Sequence, residues 1–139
     1  MKALVQKLKQ IEEKISREKG EFLLYGLFLR ENAPNVWDWV VSSPWIERDK
    51  EAAMRYLSAR LNETVTKDEL IKISRIAVIE ESNPGLAELQ EEFSVEHGSV
   101  QVRRRHFFGQ DIEHAFIITC RRTTAPALDM QSPFRASAT

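Results

Sequence analysis

The chain has a single cysteine, Cys120, so it can form neither an internal disulfide framework nor a cysteine-rich zinc module, and it suits a reducing compartment. No apolar run approaches the roughly 18 residues that span a bilayer. The first residues place Lys2, Lys7 and Lys9 where a signal peptide would carry its apolar core. Both absences lead to the expectation of a cytoplasmic protein without membrane association. Gly and Pro number only five each, too few for a collagen-like or low-complexity chain. There is no GxxxxGK[ST], GxGxxG, GxSxG, HExxH or CxxC motif. P-loop nucleotide hydrolysis, dinucleotide redox chemistry and the familiar helical zinc sites are thereby disfavoured.

What is present has the makings of one folded domain. A chain of 139 residues can bury about two-thirds of its unfolded surface, and 42% hydrophobic with 29% charged residues is a globular balance. The net charge of −1 hides an uneven distribution. Residues 1–20 carry six basic and three acidic side chains, residues 21–97 eight and fifteen, and residues 98–139 again six and three. Such a separation can orient a molecule against its own copy or against an anionic partner.

Leu4, Leu8, Ile11 and Ile15 recur at helical spacing, with Lys7, Lys9, Glu12, Glu13 and Lys14 assigned to the rest of the wheel, and Gly20 is expected to end the helix in a left-handed cap. Phe22–Leu29 is an unbroken apolar run of strand length. It predicts a strand buried on both faces, with Gly26 marking a bend or a close backbone approach. A turn cluster over residues 31–35 leads into Val36–Ser43, a second, antiparallel strand. Ser43-Pro44 opens a helix expected to run to Leu61, with Ser43 accepting the first free amides. Thr66 to Glu69 matches a capping box for a short helix carrying Leu70, Ile71 and Ile73. Arg75–Glu80 reads as a strand, and Asn83-Pro84 starts a helix whose inner face is Leu86, Leu89 and Phe93. Val100–Phe108 and Ile112–Cys120 form a hairpin. Gly109-Gln110 as the central turn residues would set His106 opposite Glu113, and Arg103 opposite Phe116.

This order predicts an α+β fold: a single domain over residues 1–122 with a mostly antiparallel sheet of about five strands packed with helices. Residues 123–139, with Ala125-Pro126 and Ser132-Pro133, read as a flexible C-terminal tail.

Among candidate functional residues, Arg103 and Arg105 share one face of a strand by alternation, and Arg121 and Arg122 lie at the far end of its partner. Guanidinium groups so arranged could take phosphates, alone or in a nucleic acid. Trp37 and Trp39 project from one face and, with Trp45, read as core. His97, His106 and His114 lack metal-ligand spacing, so no metal site and no cofactor are expected. Cys120 reads as a buried structural thiol. Asp38, Glu47 and Asp49, beside Lys50, are the nearest approach to a catalytic carboxylate cluster. The leading expectation is a non-enzymatic interaction or oligomerisation module, acting on a protein partner or as a homo-oligomer. Its rivals are a nucleic-acid or phosphate binder using Arg103, Arg105, Arg121 and Arg122, and a metal-dependent hydrolase or nuclease centred on Asp38, Glu47 and Asp49.

Overall fold

The apolar stripe of the first helix and the unbroken apolar run that follows it decide the architecture. The computed structural model describes residues 1–122, so the expected tail over residues 123–139 lies outside the described residues. Helix α1 (Lys2–Lys19) buries Leu4, Leu8, Ile11 and Ile15 as its spacing predicts. Each such side chain contributes about 1.5–3 kcal/mol on leaving water. The apolar run becomes β1 (Leu24–Arg30), the middle strand of a five-stranded sheet in the order β3-β2-β1-β5-β4. Its neighbours β2 (Trp37–Ser42) and β5 (Gln110–Cys120) are both antiparallel to it, and β4 (Val100–Phe107) forms a hairpin with β5.

Between β2 and β3 (Ile73–Val78) the chain crosses over through three helices, α2 (Pro44–Arg48), α3 (Lys50–Thr64) and α4 (Lys67–Leu70). A crossover of this length returns the chain in the same direction, and β3 pairs parallel to β2. Helices α1 and α3 pack on one face of the sheet, where Tyr25, Trp37, Trp39, Trp45, Leu57 and Phe116 form the first core cluster. Helix α5 (Pro84–Glu92) covers the other face with Leu86 and Leu89, over Leu24, Phe28, Ile117 and Cys120. The fold is thus α+β and a single domain, as the element order predicts. The three tryptophans are core residues.

Several local expectations are corrected. The helix from Pro44 does not run through to Leu61: it breaks at Asp49, which has an extended φ of −157° and whose side chain caps α3 by accepting from the Ala52 amide at 3.1 Å. Ser43 makes no cap bond, and its hydroxyl instead donates to the Glu21 carbonyl at 2.7 Å. The capping box of Thr66 and Glu69 is formed, but α4 ends at Leu70, Ile71 is exposed and Ile73 opens β3. Gly20 has φ 126° and ψ 162°, outside the left-handed helical region expected of it. Glu12, assigned to the polar side of α1, is fully buried.

The hairpin register also differs by two residues. Phe107 pairs with Gln110, His106 with Asp111 and Arg103 with His114. The two-residue turn is Phe108-Gly109, with φ of 54° and 74°, the pair of positive values that a type I′ turn demands. Gly109 at the second central position, rather than the first, moves every pair.

Gly26 meets its expectation. A Cβ built there would collide with the Phe116 carbonyl oxygen and lie 3.3 Å from the Ile117 Cα, both backbone atoms of the neighbouring strand. Gly26→Ala should therefore lower unfolding stability by about 1–3 kcal/mol. The denaturant midpoint of the variant measures this, and an unchanged midpoint would contradict the tight approach.

Candidate functional site

On a helix, residues four apart share a face, so Glu12 stands in the stripe between Leu8 and Ile15. A carboxylate without exposed surface needs donors. Ser16, one turn on, donates to its Oε2 at 3.2 Å, and Thr119 donates to the same oxygen at 2.9 Å. Thr119 reaches α1 because β5 bulges: Tyr25 pairs with Thr119 and Gly26 with Ile117, which leaves Ile118 as an extra residue. The third partner is His97, whose Nδ1 lies 2.5 Å from Glu12 Oε1 and donates to it. The His97 backbone adopts a left-handed φ of 52°, and its amide donates to Thr119 Oγ1 at 3.1 Å. The hydrogen bond to Glu12 raises the His97 pKa above its ordinary value, against the opposing effect of partial burial. With Nδ1 committed, Nε2 faces outward, 3.8 Å from Glu21 Oε1, and Glu96 completes a group of three donors within 4.8 Å of one another.

Beside this network lies a groove of about 190 Å³ between the end of α1, the start of α2 and the end of β5. Lys19, Arg48, Arg121 and Arg122 line it, together with Glu21, Ser43 and the Trp45 ring. Lys19 belongs to the last turn of α1, where the helix dipole favours cations, and its ammonium stands 4.8 Å from the centre of the Tyr56 ring. The Arg121 amide donates to the Leu23 carbonyl at 3.0 Å, which fixes the backbone. Its guanidinium is held loosely, at 3.4 Å from Glu21 and 3.9 Å from Glu96, against about 2.7–2.9 Å for a tight charged pair. Arg48 and Arg122 make no ion pair among the described residues. The Trp45 indole nitrogen is buried without a hydrogen-bond partner among those residues.

The other sequence candidates are dispersed. Asp38 is buried near the start of β2, where its Oδ2 lies 2.9 Å from Arg30 Nε and 3.2 Å from Arg75 Nη2. Glu47 and Asp49 stand beyond the other end of that strand. Glu47 accepts from the Glu81 amide at 2.7 Å, Asp49 caps α3, and Lys50 pairs with Glu80 at 2.6 Å. The structure does not bring these carboxylates together.

Arg103 and Arg105 do not share a face either. Arg103 sits opposite His114, whose ring packs with Trp37 and Phe116 of the first cluster. Arg105 lies over Phe93 and Phe107 on the opposite face and forms a two-armed pair with Glu92. The cause is Arg104, which takes a left-handed φ of 55° and interrupts the alternation. His106 pairs with Asp111 at 2.9 Å, and burial with the nearby Arg103 charge lowers the His114 pKa. Cys120 belongs to the second cluster, where burial pushes its thiol up to about 11.

Comparison of the chain with protein-family models, with curated proteins and with solved structures finds no match. Of the sequence candidates, Arg121 and Arg122 alone share a site. His97 and Glu12 were missed as a pair because they are 85 residues apart. The available signal was an acidic residue on the apolar stripe of a helix.

A thiol with its pKa near 11 is almost wholly protonated at pH 8. Native protein should accordingly label with iodoacetamide at pH 8 no faster than it unfolds, while denatured protein labels at the rate of an ordinary thiol. Rapid native labelling would show that Cys120 is accessible and ionised.

Proposed function

We propose that this protein is a binding module for a phosphate-bearing anion, which it takes in the groove lined by Lys19, Arg48, Arg121 and Arg122. The observation that carries this reading is the convergence of four cationic side chains, from α1, α2 and the end of β5, against one acidic side chain, Glu21. Guanidinium groups recognise phosphate by paired, charge-assisted hydrogen bonds, and two of the three arginines here are not engaged by carboxylates of the described residues. The volume of about 190 Å³ is below the roughly 300–1,000 Å³ of sites for drug-sized ligands, which suits one phosphate group with its immediate substituent.

Other locations support a ligand less well. A larger cleft of about 440 Å³ on the opposite face contains Asp38 and Arg75, but these charges are paired with each other. Association with a second copy through α1 has little to use, since its stripe is covered by the sheet and α3. Among the described residues, Met1 and Ile71 are the exposed large hydrophobic side chains. The outer edge of β4 is interrupted by the left-handed Arg104, which works against addition of a further strand.

The test is calorimetric titration with inorganic phosphate and with a nucleoside monophosphate at low salt, in the presence of a chelator. Binding should weaken as salt rises. Arg48→Ala/Arg122→Ala should lower affinity at least tenfold, as the loss of charged hydrogen bonds implies. Arg103→Ala/Arg104→Ala should leave it within about twofold. Absence of binding, or equal losses in both double variants, would overturn the assignment.

A further inference from the structure

We propose that Glu21, Glu96 and His97 form a binding site for a first-row divalent cation, with zinc the best match, and that Glu12 positions its histidine. The first support is the donor set. One ring nitrogen of His97 and one oxygen from each carboxylate lie within 4.8 Å of one another. One imidazole and two carboxylates with an open position is a set that zinc accepts, leaving room for water or a ligand atom as a fourth partner. Tetrahedral zinc, with bonds of about 2.0–2.1 Å, places its ligand atoms about 3.4 Å apart. His97 Nε2 and Glu21 Oε1 already stand at 3.8 Å. The two glutamates have side chains 50% and 55% exposed, so a rotamer change is enough to close the remainder.

The second support is a carboxylate outside the donor set, Glu12. A histidine ligand to a metal characteristically gives its other ring nitrogen to a carboxylate, which fixes tautomer and orientation. Here Nδ1 is bound to a carboxylate that is itself fully buried and held by Ser16 and Thr119. The amide bond of His97 to Thr119 holds the backbone from which the ring projects. Holding loop and helix together would need only the Glu12–His97 bond. It would not need Nε2 turned toward two further carboxylates.

Arg121 is the competing cation. Its contacts of 3.4 Å and 3.9 Å are long, and the guanidinium has the adjoining groove to move into. This inference does not depend on anion binding in that groove.

Zinc chloride titrated calorimetrically into chelator-treated full-length protein, in phosphate-free buffer, tests the site. One zinc should bind per chain. The double variant Glu21→Gln/Glu96→Gln, altered at half-exposed positions and checked for folding by its thermal transition, should lose it, as should His97→Gln. Glu12→Gln should weaken binding by about 10–100-fold, the usual effect of removing the carboxylate behind a histidine ligand. No zinc binding by the unaltered protein would overturn the proposal. So would zinc binding that persists in a folded Glu21→Gln/Glu96→Gln protein, which would place the ion elsewhere, such as at His106 and Asp111.

Discussion

Glu12 carries a carboxylate with no exposed surface, and a carboxylate withdrawn from water must be met by hydrogen-bond partners from whatever packs against it. That requirement reaches three separate parts of the chain. Helix α1 supplies Ser16 by its own periodicity. Strand β5 supplies Thr119 through a bulge that brings Ile118 and Thr119 to the same side, where Ile118 joins the first core cluster and Thr119 meets Glu12. The segment between α5 and β4 supplies His97, at the expense of a backbone conformation that non-glycine residues rarely adopt. The same bulge lies beside Gly26, where β1 and β5 approach too closely for any side chain. One buried carboxylate thus draws together a bulged strand, a helix and a residue with left-handed backbone.

The position of the groove follows from this arrangement. With Thr119 held against α1, β5 ends where α1 ends, and Arg121 and Arg122 emerge beside Lys19. The connection from β2 delivers Trp45 and Arg48 to the same place, because Ser43 is tied to the Glu21 carbonyl at the start of α2. Lysine and arginines that are remote in sequence converge through the ends of three elements, which long-range hydrogen bonds hold in place.

The legible part of the fold was the part governed by one-dimensional pattern. The stripe of α1, the doubly buried run of β1, the capping box at Thr66 and the Asn83-Pro84 start all read correctly, since each depends on neighbours in sequence. Asp49 lies inside the span expected to be one helix from Pro44 to Leu61, but its side chain caps a new helix, and that competition decides the break. In the hairpin, Gly109 suits either central position of the turn. Only the tolerance of Phe108 for a positive φ fixes the register, and no periodicity reveals that. At the candidate site, Arg121 and Arg122 were named in the sequence, but in company with Arg103 and Arg105, which Arg104 sends to opposite faces. Glu12 and His97 became partners only through tertiary packing.

Charge that is separated along the sequence is partly brought together by the fold. Some cations of the basic ends meet the acidic middle of the sequence within one molecule. Lys7 of the first segment pairs with Glu69 at 2.7 Å, Arg105 of the last segment with Glu92, and Arg121 lies near Glu21 and Glu96. Part of a separation that in linear form invites a second copy is thereby met within the chain. At the groove, Lys19, Arg48 and Arg122 gather with Glu21 as the one acidic lining residue. Like charges that share a concavity repel one another within a Debye length of about 8–10 Å and focus their field outward. An anion seated in the groove would relieve that repulsion.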